Sequence, residues 1–341
     1  MKKIIHIIPS NAIGGVELAA ETAKNIKSKN YIFEIIYLST KKYKIGKSIF
    51  SLIELLITTK RILRKDPDFV IVSLWKSCIS AYLLSLFKPK VKIILFLHLT
   101  KSTNIVDFFL NKIISKKAFQ IWSDSDSTNF IRSKELKIDN KKPRKIISFI
   151  RFKNLPNNCT KAAPKFIFWG RIHKQKRIDK AIKLIHQIIN NGNKNAEFLI
   201  IGPNCGELDY LKNLCKKLKI EKNILFENEM DFKNIIKLSK QYSFFLQLSD
   251  YEGMAMSVIE SMQLGLIPLV TNVGEIQYYC FDKENSIIYK NAKDTAQEVI
   301  NLISNEKVFN SIRDKALLEW NNKTTYKDDL KENLESISIL D

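Results

Sequence analysis

Short runs rich in Ile, Leu, Val and Phe alternate with segments of helical spacing from one end of this 341-residue chain to the other. The runs are Lys3–Ile8, Tyr31–Leu38, Phe69–Ser73, Val91–Leu97, Ala118–Trp122 and Lys145–Phe149, then Phe166–Trp169, Glu197–Ile201, Asn223–Phe226, Phe244–Leu248 and Leu266–Val270. Helical spacing falls on Val16–Lys29, Ser48–Leu63, Ser77–Phe87 and Thr128–Leu136, on a segment ending near Asn190, and on Leu208–Leu218, Ile235–Ser239 and Met254–Met262. It returns in Thr295–Ser304, Val308–Trp320 and Tyr326–Ile337. A strand–helix–strand alternation of such apolar runs closes as a parallel sheet with crossover helices. The pattern breaks once, at Phe152–Pro164, where Pro156, Asn157, Asn158 and Pro164 read as a linker. The expectation is an α/β chain with one domain over 1–155, a linker over 156–164, a second domain over 165–320 and a terminal helical segment over 321–341.

Charge is spread unevenly. The chain carries a formal +21, and residues 1–150 hold 28 Lys/Arg against 11 Asp/Glu, an excess of 17. A basic half implies an anionic partner: nucleic acid, an anionic membrane surface or a phosphorylated substrate. Around the helix at Ser48–Leu63, Lys41, Lys42, Lys44 and Lys47 lie upstream and Lys60, Arg61, Arg64 and Lys65 lie at the end. That helix either rests on a membrane surface or faces the core with a solvated basic end. Lys76, Lys88, Lys90 and Lys92 interrupt the most apolar region, so no span reaches the ~20 residues a membrane helix needs. The first run is short and holds His6, which suits a strand rather than a signal peptide. Cys78, Cys159, Cys205, Cys215 and Cys280 show no metal-binding spacing, and their odd number and scatter fit reduced, cytoplasmic thiols.

The stretch Ser249–Thr271 carries the clearest chemistry. Gly253 lets the chain turn after the strand, Met254–Met262 is helical, and Gly265 with Pro268 stops the helix. Glu252 lies in the loop and Glu260 about two turns along the helix. A helix N-terminus presents free N–H groups and a positive dipole end to an anion. Carboxylates beside it accept hydrogen bonds from hydroxyls. Together they suit a nucleotide-sugar, which sets a diphosphate between two polyols. After Phe166–Trp169, Gly170 is followed by Arg171 and Lys176, two cations able to clamp a diphosphate where a strand meets a helix. In the first half, Gly14 and Gly15 form either a phosphate or sugar approach site or a plain tight turn. His98 ends a parallel strand, a ligand position in open α/β sheets, and a structural role stands equally open.

Glu252 and Glu260, with Gly253 after the first and Gly265 and Pro268 downstream, resemble the donor-site motif of retaining GT-B glycosyltransferases of family 4, the glycosyl transferases group 1. Gly170, Arg171, Lys176 and Asp179 resemble a second motif of that family, with Arg177 where the family has Gly. The Gly14-Gly15-Val16-Glu17 loop and His98 resemble its N-terminal features, although Leu99 and Thr100 replace the Asp of a His-Asp pair. A segment that often reads Pro-Asn-Gly-Val-Asp in the family is Ser148-Phe-Ile-Arg-Phe152 here.

The resemblance implies two Rossmann-like domains facing across a cleft, with the last helix packing back on the first domain. It implies a glycosyltransferase that moves a sugar from a UDP- or GDP-sugar to a glycan or lipid-linked acceptor with retention. Bacterial surface polysaccharide biosynthesis, at the inner face of the membrane, is the expected setting. By resemblance Glu252, Arg171, Lys176 and His98 serve catalysis, and Gly14, Gly15, Gly170, Gly253, Met254, Ala255, Met256, Glu260 and Gly274 serve donor binding. Neither a metal nor a cofactor is expected, since in the resembled family Arg and Lys take the charge role that a divalent metal has elsewhere; here these are Arg171 and Lys176. Two alternatives stay open: a nucleotide-sugar isomerase or phosphorylase of the same architecture, and a non-catalytic basic protein that binds nucleic acid. The Lys clusters lack the interleaved aromatic residues that the last would use.

Overall fold

The computed structural model of the protein describes residues 1–10, 14–39, 49–153, 155–156, 161–320 and 323–340. The chain divides into two compact units, Met1–Arg151 with Thr324–Asp341, and Phe152–Lys323.

The first unit opens β1 (Lys2–Ser10), α1 (Gly15–Ala23), β2 (Tyr31–Ser39), α2 (Ile49–Lys65), β3 (Phe69–Ser73) and α3 (Trp75–Phe87). It continues β4 (Lys92–Leu97), α4 (Ile105–Lys117), β5 (Gln120–Ser123), α5 (Asp126–Leu136) and β6 (Arg144–Ile146). Its sheet is parallel, in the order β2-β1-β3-β4-β5-β6. Every connection from β2 onward steps the same way across the sheet. Right-handed crossovers therefore lay α2, α3, α4 and α5 side by side on one face and leave α1 on the other. Under that helical layer, Ile5, Ile7, Val70, Val72 and Leu95 of the strands meet Leu55, Ile62, Ala81, Leu84 and Ile114 of the helices.

The second unit runs β7 (Lys165–Trp169), α6 (Ile178–Asn190), β8 (Glu197–Ile201), α7 (Leu208–Leu218), β9 (Ile224–Glu227), α8 (Phe232–Ser239), β10 (Phe244–Gln247), α9 (Met256–Gln263), β11 (Ile267–Val270), β12 (Ile287–Ile288), α10 (Ala292–Ile303) and α11 (Glu306–Glu319). Its sheet is also parallel, in the order β12-β11-β10-β7-β8-β9. Phe166, Phe168, Phe198, Phe244 and Phe245 fill its core, with Phe166 stacked on Phe244 at 5.1 Å. The last helix, α12 (Tyr326–Ser338), belongs to the first unit. It packs beside α1, sets Tyr326 against Phe149 at 5.1 Å, and accepts a hydrogen bond on Glu335 from Ser28 Oγ at 2.7 Å.

Several sequence expectations are corrected. The helix expected to reach Lys29 ends at Ala23, where Lys24 and Ile26 donate to Glu21 and Ala23 in tight three-residue turns. The strand expected over Lys145–Phe149 stops at Ile146, because Ser148 turns its N–H to Asp329 and its hydroxyl to the Thr324 carbonyl instead of to a neighbouring strand. Phe152, expected to begin a linker, packs inside the second unit. Its ring stacks on Phe232 at 4.8 Å, and its carbonyl accepts from Gln263 Nε2 at 2.9 Å. Asn157, Asn158, Cys159 and the Lys41, Lys42, Lys44 and Lys47 cluster lie outside the described residues. Among the described residues no helix is long and apolar enough to cross a membrane.

Candidate functional site: the loop before α9

The loop of residues 248–255 joins β10 to α9, and a left-handed residue ends it. Ala255 holds φ +54°, so the backbone cannot be helical there and α9 begins at Met256 rather than at Met254. This moves Glu260 from the expected two turns into the helix to little more than one. The first N–H groups of α9 have no carbonyl partner within the helix and point back over the loop.

Neighbouring segments clamp the loop from two sides. On one side, Asp250 N–H donates to the Gln175 carbonyl at 3.0 Å, and Gln175 Nε2 donates to the Tyr251 carbonyl at 2.7 Å. On the other, Thr271 Oγ1 donates to the Ser249 carbonyl at 2.6 Å, Glu275 N–H to Gly253 at 3.2 Å, and Tyr279 Oη to Met254 at 2.8 Å. Burial and neighbouring carboxylates hold the Tyr279 phenol well above its ordinary pKa, so it stays a donor. Gly274 lies so close that a Cβ on it would stand 2.2 Å from the Glu252 carbonyl oxygen, and its φ of +58° suits glycine.

Glu252 of this loop and Glu260 of the helix are buried and engaged. Glu252 Oε1 accepts from Lys176 Nζ at 2.7 Å and from Gln247 Nε2 at 3.2 Å. Gln247 in turn accepts from Ser257 Oγ, in the first turn of α9, at 2.9 Å. Glu260 Oε2 accepts from the Trp169 indole N–H at 3.0 Å. The structure thus brings Lys176, Glu252, Glu260 and the start of α9 into one cluster at the carboxyl ends of β7 and β10. Lys176 ends a short 3-10 turn, Lys174–Lys176, which the His173 side chain caps by accepting from Gln175 N–H at 3.2 Å. Burial, then the charges of Arg171 and Lys176, holds the His173 imidazole below its ordinary pKa.

Arg171 is exposed just past Gly170, at the end of β7. Gly202 packs against the Gly170 carbonyl, where a Cβ would stand 1.8 Å from that oxygen. Arg177, which occupies the family's Gly position, adopts φ +47°, the left-handed conformation a glycine takes readily, and grips Asp179 and Asp250. The sequence reading missed Trp169, Gln175, Gln247, Ser257 and Tyr279. Only the position of Trp169 and Gln247 at strand ends could have marked them.

The first unit holds Gly14, Gly15 and His98. Gly14 caps α1 and Gly15 starts it, and residues 11–13 before them lie outside the described set. His98 is buried, with Nε2 2.8 Å from Ser73 Oγ, and His6 Nε2 lies 2.7 Å from the same oxygen. Ser73 has one proton, so it donates to one imidazole and accepts from the other. Burial takes the His6 pKa down to about 3, and burial with His6 nearby takes His98 well below its usual value. His98 lines a cavity of about 240 Å³ with Ser10, Glu17, Lys76, Asp107 and Arg132. Among the described residues no group of three His, Cys, Asp or Glu could hold a metal ion.

Two parallel six-stranded sheets with alternating helices, one in each Rossmann-like unit, give the chain the GT-B architecture. Residues 149–318 match the family model of glycosyl transferases group 1, a span that takes in the clamped loop and most of the second unit. Among solved structures, Anabaena HepE in complex with UDP-glucose superposes with a TM-score of 0.80 at 12% identity, over 100% of both chains. The sucrose-phosphate synthase of Thermosynechococcus elongatus gives 0.78 at 13% identity, over 99% of this chain and 98% of that one. S. aureus TarM, bound to fondaparinux, alpha-GlcNAc-glycerol and UDP, gives 0.67 at 16% identity, over 83% of this chain. This chain spans 58% of the length of TarM. At these identities the likeness is one of fold. No curated protein is significantly similar in sequence.

Proposed function

We propose that the protein is a retaining, metal-independent glycosyltransferase. It moves a sugar from a UDP- or GDP-sugar to a glycan or lipid-linked acceptor in bacterial surface polysaccharide biosynthesis. The observation that carries this is the clamped loop. It sets a buried Glu252–Lys176 pair and the buried Glu260 around the start of α9, inside the span that matches the family. HepE was crystallised with UDP-glucose and TarM with UDP, which supports a uridine nucleotide as the donor's base.

The second unit binds the donor. The N–H groups at Met256 and Ser257, with the positive end of the α9 dipole, receive the diphosphate, and Gly253, Met254 and Ala255 let its oxygens approach the backbone. Arg171, exposed at the end of β7, adds a guanidinium. As the bond from sugar to phosphate breaks, negative charge builds on the departing nucleoside diphosphate. These fixed cationic and dipolar groups stabilise it most in the transition state. Glu260 accepts from the ribose hydroxyls, Glu252 from hydroxyls of the transferred sugar, and Lys176, donating to Glu252 Oε1, keeps that carboxylate aimed. Gly170 and Gly274 supply the close backbone approaches that hold both loops in place. The first unit mainly presents the acceptor, while its Gly14 and Gly15 serve donor binding and its His98 serves catalysis. The excess of 17 positive charges in residues 1–150 suits an acceptor held at the anionic inner face of the membrane.

Titrating Glu252→Gln and Glu260→Gln with UDP and with UDP-sugars tests the assignment. Loss of Glu260 should weaken both ligands, because it reads the nucleotide. Loss of Glu252 should cost turnover and sugar discrimination while leaving UDP affinity almost unchanged. Equal losses for both ligands in both variants would mean that the two acids only hold the loop in shape.

A further inference from the structure

The helical layer of the first unit has an outer surface that the described residues leave uncovered. In α2, Leu55, Thr59 and Ile62 turn inward, whereas Leu52, Ile53, Leu56 and Ile57 are exposed, Ile57 at 64%. In α4, Ile114 is buried, whereas Ile105, Val106, Phe109 and Ile113 are exposed, Ile105 at 71% and Phe109 at 53%. Helices that connect parallel strands all begin at the carboxyl edge of the sheet. The exposed apolar residues of α2 and α4 therefore lie toward that edge, with α3 between the two helices. Cations continue the same surfaces: Lys60, Arg61 and Arg64 on α2, and Lys116 and Lys117 on α4, all exposed. Glu54 on α2 is only half-exposed, and two other acids nearby are committed. Asp107 is buried beside Arg132, and Asp66 is paired with Lys88. The cavity of about 240 Å³ is lined from the same edge, by Leu74–Lys76 before and within α3 and by Leu99, Lys101 and Thr103 before α4.

We infer that this outer face of α2 and α4 is the docking face by which the protein seats itself on an anionic lipid bilayer. The inference rests on the membrane setting proposed above and names the surface that meets the lipid. Charge complementarity selects the occupant. A second copy would bring together two units that each carry 28 Lys/Arg against 11 Asp/Glu in residues 1–150. A nucleic acid would reward the cations but not the exposed Ile and Leu. Only an anionic bilayer rewards both, taking the aliphatic tips into its interface and the cations onto its headgroups. Because the cavity adjoins the face, docking also brings the cavity beside the bilayer, where a lipid-linked acceptor would reside.

Flotation of the purified protein with vesicles of phosphatidylcholine, and with vesicles of equimolar phosphatidylcholine and phosphatidylglycerol, tests this without any donor. The wild-type protein should float with the second set, more weakly as salt rises, and not with the first. Ile53→Ser/Ile57→Ser/Phe109→Ser removes exposed apolar groups only and should weaken binding by about tenfold or more in total. Lys60→Ala/Arg61→Ala/Arg64→Ala should weaken it and flatten its salt dependence. Lys216→Ala/Lys217→Ala, on α7 of the second unit, should leave it unchanged.

Retained binding in the apolar variant, or no binding to anionic vesicles at low salt, would overturn the inference. So would a dimer in solution that the apolar variant dissolves. Nucleotide binding by the second unit should persist in all these variants, so failed docking and a failed donor assignment remain distinguishable.

Discussion

Replacing Lys176 by Met leaves Glu252 buried without its cation. The two side chains are 12% and 8% exposed, and the N–O distance is 2.7 Å. At that separation the attraction is roughly 6 kcal/mol gross in an effective dielectric near 20. Desolvation of both ions offsets most of it, and breaking a buried pair by removing one partner costs about 3–5 kcal/mol. Gln247 still donates to Glu252 Oε1 at 3.2 Å, which favours the lower figure. We expect Lys176→Met to lose about 3 kcal/mol of unfolding free energy and Glu252→Gln about 2 kcal/mol. The double variant removes both charges and should lose about 3 kcal/mol rather than 5, a coupling of about 2 kcal/mol. Urea denaturation of the wild type, both singles and the double, without ligand, gives this cycle directly. A coupling below about 0.5 kcal/mol would refute the view that the pair is a buried, mutually dependent unit.

Gly274→Ala should cost roughly 2 kcal/mol or more, because a Cβ would stand 2.2 Å from the Glu252 carbonyl oxygen. At Gly192, also at positive φ, nothing lies within 4 Å, so Gly192→Ala measures backbone strain alone and equal losses in urea denaturation would dismiss the clash. The fold keeps His6 neutral, with a pKa of about 3 against 6.5 for the ordinary imidazole, so the unfolded chain takes up the proton first. Stability present above pH 6.5 should therefore fall as the pH drops toward 3, by about 2 kcal/mol between pH 7.5 and 5 from His6 alone. His98 adds in the same direction, and a flat pH dependence in chemical denaturation would contradict both assignments.

The strands of both sheets were legible because buried parallel strands are uniformly apolar, and Phe69–Ser73 and Glu197–Ile201 fall where their residues say. The helix α4 was not. Ile105, Val106, Phe109 and Ile113 make its outer surface apolar, so no contrast between faces marks it as a helix. The start of α9 was misplaced because Met254 and Ala255 are ordinary helix formers, and the left-handed turn at Ala255 comes from the clamped loop rather than from local propensity. Glu252 and Glu260 could be found from their spacing beside Gly253. Their partners Lys176 and Trp169 lie 76 and 91 residues away, and only folding joins them. The Ser73 bridge between His6 and His98 is hidden for the same reason, since each residue ends or lines a different strand.

The central claim is that the clamped loop and Arg171 handle a nucleotide-sugar. Its most direct test is release of nucleoside diphosphate from a panel of UDP- and GDP-sugars, in the presence of EDTA and a membrane lipid extract, by the wild type and by Arg171→Ala. The account predicts release by the wild type from at least one donor, with EDTA without effect and the anomeric configuration kept in the product. Arg171→Ala should fold normally and be slower by orders of magnitude. No release from any donor, or equal release by Arg171→Ala, would contradict it.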